Sequence, residues 1–151
     1  MALSAAKLKV GDKHTECVVD NLTRTQLVQY AGASGDYNPL HSDEVYSVHA
    51  GYKGVFAHGM LTMGLTGKML TNYVGDARLK KFGVRFTNQV WPGDILTSET
   101  KEGKVWEKES KRAGKLIFRE RITEHRDQNG ELVITARGVG VTTERPVDQK
   151  K

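Results

Sequence analysis

Beyond Gly75 the hydrophobic period of this chain changes, and that change limits its possible folds more than any other feature. From Gly59 onward, Met60, Met63, Gly64, Gly67, Leu70 and Val74 recur at helical spacing, and Leu61, Leu65 and Met69 widen the apolar surface. A helix over residues 59–73, at about 1.5 Å per residue, spans roughly 22 Å. It carries few charges, so it is expected to be surrounded, with Gly64 and Gly67 serving close packing. The later segments 81–90, 94–101, 104–111, 115–125 and 131–143 read as strands of a largely antiparallel sheet. Asn129-Gly130 marks a hairpin between the last two, and Trp91-Pro92-Gly93-Asp94 a tight turn. Such a sheet must cover its apolar face, and 59–73 is the segment long and apolar enough to do so. The expected fold class is therefore α+β, five or six strands wrapped around one long central helix. Open strand edges favour pairing with a second copy, so a homodimer is expected.

Upstream, residues 1–13 read as an entry segment, 14–19 as a strand, 24–33 as a short amphipathic helix and 42–48 as one or two helical turns. A length of 151 residues suits one domain, placed at 1–144, with 145–151 as a flexible basic tail. The single cysteine, Cys17, excludes an intramolecular disulfide and reads as packing beside Val18 and Val19. Residues 2–9 are too short and too lysine-interrupted for a signal peptide. The apolar run around 59–74 contains Lys68 and Asn72 and falls short of a membrane span. A cytoplasmic protein is the resulting expectation.

The net charge of +5, from 23 basic and 18 acidic residues, could attract a phosphate-bearing ligand, an acidic partner or nucleic acid. Basic residues alternate with acids, as in Lys101-Glu102 and Arg119-Glu120-Arg121, and no nucleic-acid motif is present, which argues against nucleic acid. Arg78, Lys80, Lys81 and Arg85 are phosphate-binding candidates, and they read equally well as a solvated strand edge.

Chemistry concentrates between Tyr30 and Thr62. Asp36 and His41 flank Asn38-Pro39, and the proline blocks a regular helix there, so the two side chains are expected to converge from a turn. By itself such a segment reads first as an N-cap Asp, an Asn-Pro turn and a capping His before a short helix. Downstream, His58-Gly59 opens the apolar helix, whose first amides can meet an anion or a polarised carbonyl. A converging carboxylate and imidazole could hold one water between them, both able to accept a proton near neutrality. The Gly59 N–H is the candidate oxyanion donor. Asn38 reads as a loop support through backbone bonds, and His58 as a cap or supporting group, with proton transfer as its alternative. No metal is expected, since Asp36, His41, Asp43 and His58 match no compact ligand spacing. Ser34 lacks a nucleophile-elbow context and reads as the end of the first helix.

The run Tyr30-Ala31-Gly32-Ala33-Ser34-Gly35-Asp36-Tyr37-Asn38-Pro39-Leu40-His41-Ser42-Asp43, with Phe56-Ala57-His58-Gly59-Met60-Leu61-Thr62-Met63-Gly64, closely resembles the hydratase motif and following helix of the MaoC-like (R)-specific enoyl-CoA hydratases and dehydratases. Val84-Arg85-Phe86 and Trp91-Pro92-Gly93-Asp94 resemble later parts of that family, and the likeness covers roughly residues 8 to 143. The resemblance implies a hot-dog fold pairing with a second unit. It also implies reversible syn hydration of a trans-2-enoyl thioester to the (3R)-3-hydroxyacyl thioester, in fatty-acid or lipid metabolism. In those terms Asp36 and His41 are the catalytic pair, Gly59 supplies the oxyanion amide, and Ser34 and Asn38 support the loop. The substrate carrier would be CoA or an acyl-carrier protein, with no cofactor. A hot-dog acyl-CoA thioesterase and a non-catalytic acyl-thioester-binding protein are the alternatives.

Overall fold

The computed structural model describes residues 8–75 and 78–144. The expected tail over 145–151 lies outside the described residues. In chain order the elements are β1 (Lys13–Val19), α1 (Arg24–Ser34), a 3-10 turn (Pro39–His41), α2 (Glu44–His49), α3 (Gly59–Val74), β2 (Leu79–Phe86), β3 (Leu96–Ser110), β4 (Gly114–Arg126) and β5 (Leu132–Thr143). The strands form one five-stranded antiparallel sheet in the order β1-β3-β4-β5-β2, with helices packed against it. This is the α+β arrangement that the period change implies, and the hot-dog fold that the family resemblance implies.

Alternation fixes which face turns inward. Along β3, Leu96, Ser98, Thr100 and Glu102 are buried while Thr97, Glu99 and Lys101 are exposed; along β4, Arg121, Thr123 and His125 are buried. The apolar core, including Val19, Leu22, Leu27, Val55, Val90, Leu96 and Ile134, fills the space between this face, α1 and the first half of α3.

Three expectations change. The strands drawn at 94–101 and 104–111 are one 15-residue strand, β3, because a shift of register between Glu102 and Val105 lets the ladder with β4 resume instead of ending it. The helix α3 is not fully surrounded in one chain: Met60 is 57% exposed and Gly64 and Lys68 are exposed, whereas Thr62, Thr66, Met69, Leu70, Tyr73 and Val74 are buried. The buried stripe is turned from the apolar one because the two threonines satisfy their hydroxyls on the helix itself, Thr62 on Gly59 O and Thr66 on Thr62 O, each at 2.8 Å. Finally, Cys17 is exposed rather than packed, its thiol donating to Val19 O at 3.3 Å.

Candidate active site

Helix α1 delivers the acidic residue. Thr23 and Gln26 form a reciprocal capping box at its start, and Gly35, in the left-handed conformation at φ 74°, stops it. The Ser34 hydroxyl donates to Tyr30 O at 2.7 Å and accepts from Asp36 N at 3.2 Å, tying the exit of the helix to Asp36. The Asp36 carboxylate then accepts from Asn38 N, and Asn38 Oδ1 accepts from Leu40 N at 3.1 Å, an Asx-type turn around Pro39. These bonds fix a short, sharply bent loop that swings His41 back toward Asp36.

His41 Nδ1 lies 2.7 Å from Phe56 O. A carbonyl can only accept, so in the neutral ring Nδ1 carries the hydrogen and Nε2 keeps its lone pair free. His58, 1% exposed, stacks on His41 with ring centroids 3.9 Å apart and donates from Nε2 to the backbone carbonyl of Asp36 at 3.1 Å. Burial pushes the His58 pKa down, opposed by that backbone bond and reinforced by His41, so His58 is held neutral. The Tyr30 ring lies against it at 4.9 Å. One polar atom from each of Asp36, His41 and His58 falls within 4.8 Å of the others. The two rings are stacked at an interplanar angle of 29°.

Beside this cluster begins α3. His58 occupies its N-cap without a side-chain cap bond, and the first amides of a helix have no intrahelical acceptor. Gly59 lines a cavity of about 280 Å³ with Phe56, Ala57, Thr62, Phe86 and residues 87–90. The Phe86 ring covers Gly59 closely, since a Cβ there would lie 3.2 Å from it.

The structure therefore gathers Asp36, His41, His58 and Gly59 at one end of α3, with Ser34 and Asn38 in the loop between. It does not gather the phosphate-binding candidates. Lys80, Lys81 and Arg85 are exposed along β2, none of the four lines the cavity at Gly59, and Arg78 lines a different cavity at the far end of α3. The sequence reading overlooked Phe56, whose carbonyl sets the His41 tautomer, and Phe86, the cover over Gly59. Neither has a fixed spacing to the residue it serves; only the aromatic character next to Ala57-His58-Gly59 hinted at Phe56.

Residues 7–124 match the family model described as MaoC like domain. Among curated relatives, the 3-hydroxyacyl-thioester dehydratase Y of Mycobacterium tuberculosis is 32% identical over 115 residues, 74% of this chain and 37% of that protein. The peroxisomal hydratase-dehydrogenase-epimerase of Neurospora crassa is 34% identical over 118 residues, 76% of this chain and 13% of that protein. The chain thus spans little more than a third, or less, of these relatives' lengths. A solved MaoC-like dehydratase from Rhodospirillum rubrum superposes with a TM-score of 0.78 at 24% identity, covering 96% of this chain and 99% of that one. These names also correct the cytoplasmic expectation, because the Neurospora relative and several others are peroxisomal. A lone unpaired cysteine suits any reducing compartment and so could not single out the cytoplasm. Among the described residues no helix is long and apolar enough to cross a membrane.

Proposed function

The chain belongs to the MaoC-like domain family, and from that premise we propose that it reversibly hydrates a trans-2-enoyl thioester to the (3R)-3-hydroxyacyl thioester. The observation that carries this reading is the convergence of Asp36 and His41 within 4.8 Å beside the uncapped first turn of α3. Two hydrogen bonds of about 2.8 Å meeting at a bent water span such a gap.

In the proposed step His41 Nε2 takes a proton from that water as the water oxygen bonds to C3. The electron pair of the C2=C3 bond shifts to C1–C2 as the C1=O pair moves onto the thioester oxygen. The Gly59 N–H receives the developing charge, favoured by the α3 dipole, a donor whose loss typically costs about 3 to 4 kcal/mol of barrier. The His41 imidazolium then returns the proton to C2 as the carbonyl re-forms. Hydrogen and hydroxyl both come from one water on one face, which makes the addition syn. Asp36 accepts a hydrogen bond from the water's other O–H, which stays intact and becomes the product hydroxyl, and so fixes the water's direction. His58, neutral and buried, is a positioning residue that holds the Asp36 backbone and supports the His41 ring. Ser34 and Asn38 keep the loop bent.

The carrier is CoA or an acyl-carrier protein, and matched thioesters of both, compared by kcat/KM, decide between them. The working unit is a homodimer: β2 pairs only with β5 among the described strands, which leaves its other edge open to a second copy. Light scattering on the purified chain checks this, and a monomer at assay concentration would refute it.

Asp36→Asn and His41→Ala are each expected to lower hydration of crotonyl-CoA at least about a hundredfold with unchanged circular dichroism. Chiral analysis of the product should return only the (3R) alcohol. Unimpaired turnover in both variants would overturn the reading.

A further inference from the structure

With the thioester oxygen at the Gly59 amide, the cavity beside that amide limits how much acyl chain the site can take. Its lining divides in two: Thr87, Asn88 and Gln89 are exposed, whereas Ala57, Thr62 and Val90 are buried. A large polar carrier leaves past the exposed residues. The hydrocarbon tail therefore turns inward, against Phe56, Ala57, Thr62 and Val90, with Phe86 over Gly59.

The inner end is closed. Thr62 Oγ1 donates to Gly59 O at 2.8 Å, and one turn further along α3 the buried Thr66 hydroxyl donates to Thr62 O and accepts from His125 Nε2. A hydrogen-bonded pair thus occupies the interval between α3 and β4 one turn beyond Thr62. On the other wall Ala57 N donates to Val90 O at 2.8 Å, which fastens together the two segments that line the cavity there. At about 30 Å³ for each water-sized group, a cavity of about 280 Å³ holds roughly nine non-hydrogen atoms. A six-carbon enoyl chain with its thioester oxygen and sulfur has eight such atoms, and a ten-carbon chain has twelve.

Phe86 forms the side of the cavity that is not backed by core. Its register partner on β5 is the buried Ile134, so its ring stands on the inner face of β2, 3.2 to 3.5 Å from where a Cβ on Gly59 would lie. The residue is nonetheless 47% exposed, so solvent rather than packed side chains lies beyond it. Removing the ring lengthens the cavity without hollowing the core.

We propose that the site takes a short acyl thioester, with about six carbons as its upper limit, and that Phe86 is the residue that sets the limit. The proposal rests on the hydratase reading and adds a chain length to it. Two measurements test it. One is kcat/KM for trans-2-enoyl-CoA thioesters of four, six, eight and ten carbons; the other is the calorimetric Kd of butyryl-, hexanoyl- and decanoyl-CoA, which bind without being hydrated. From four carbons to six, each methylene that meets apolar wall should raise kcat/KM about fourfold. In both measurements the six-carbon chain should be preferred to the ten-carbon chain at least tenfold. Phe86→Ala should raise the ratio of ten-carbon to six-carbon kcat/KM at least tenfold, whatever happens to absolute turnover. Far-UV circular dichroism checks folding, and if Phe86→Ala does not fold, Phe86→Leu decides by the same ratio. The proposal is overturned if the parent accepts ten carbons as well as six, or if the folded variant keeps the parent's ratio. Absence of hydration at every length, with the binding preference and its response to Phe86→Ala intact, would overturn the hydratase reading and uphold the length limit.

Discussion

The two ends of α3 handle charge in opposite ways. At its C-terminal end Glu102 is 1% exposed and matched to Arg121, Arg119 and the Tyr73 hydroxyl, whose pKa burial and that carboxylate push up to about 12. The Tyr73 ring is stacked on His14 at 4.4 Å, so the group is enclosed as well as paired. At the N-terminal end Asp36 is exposed; among the described residues its carboxylate accepts only from a backbone amide of its own loop, and His41 Nε2 has no hydrogen-bond partner. One end spends its polar groups on each other, and the other leaves them open to a ligand. Pairing stabilises and openness permits chemistry, so the same helix should lose stability from damage at one end and turnover from damage at the other.

The largest effect expected on stability follows from Glu102→Ala, which strands Arg121 with its side chain 3% exposed. Breaking a buried pair by removing one partner costs about 3–5 kcal/mol. Urea unfolding should show that loss, with hydration per folded molecule changed little. Asp36→Asn supplies the opposite pattern: the hundredfold loss of turnover predicted above corresponds to about 2.7 kcal/mol of barrier, with an unfolding free energy within about 0.5 kcal/mol of the parent, as for other exposed positions. If both variants lost stability alike, the contrast between the two ends would collapse.

Between the ends lies a histidine of a third kind. His125, 1% exposed, meets Thr66 Oγ1 at 3.0 Å, and because that hydroxyl already donates to Thr62 O it must accept from His125 Nε2–H. Burial holds the His125 pKa at about 4 against an ordinary 6.5. Its folded-state pKa is depressed, so the unfolded chain binds more protons between these values. The stability it contributes is present above about pH 6.5 and is lost as pH falls toward 4. Between pH 7.5 and 5 the loss is about 2 kcal/mol, and His58, also lowered, adds to it in the same direction. Urea unfolding at the two pH values measures the slope, and His125→Gln should flatten it by about that amount even though the variant starts less stable. An unchanged slope would mean that His125 is not the group being charged.

How much of this was legible in the sequence differs between the same regions. The Asp36–His41 loop could be read because proline, asparagine and glycine act locally: Pro39 bends the chain, Asn38 caps the turn, and Gly35 ends α1. The helix α3 could be read because His58-Gly59 and Gly75 bracket one apolar run, and the five-residue connection around Asn129-Gly130 joins β4 to β5 as expected. The ion cluster could not be read. Arg121 and Glu102 are 19 residues apart on adjacent strands, and only the register of β3 on β4 makes them partners. The division of β3 into two strands failed for a related reason, since alternation restarts after the irregularity at Glu102 and resembles a turn in one dimension. Buried Thr62 and Thr66 were obscured because a hydroxyl satisfied on its own helix carries no outward mark in composition.

The smallest effect concerns the path by which α1 reaches the site. Its capping box joins Thr23 and Gln26, with Gln26 N donating to Thr23 Oγ1 at 3.1 Å and Thr23 N donating to Gln26 Oε1 at 2.8 Å. Thr23→Ala removes half of this arrangement and should cost about 1 kcal/mol, read as a lower thermal midpoint. The Asp36 loop is fixed at the other end of α1 by Gly35 and by the Ser34 bonds to Tyr30 O and Asp36 N, so fraying at Thr23 should stop short of it. Turnover on crotonyl-CoA at 25 °C should stay within about twofold, because a barrier change below roughly 0.4 kcal/mol is all that a loosened first turn can pass on. A larger fall without unfolding would mean that α1 tensions the loop along its whole length, and that the open end of α3 depends on packing as much as the closed end does.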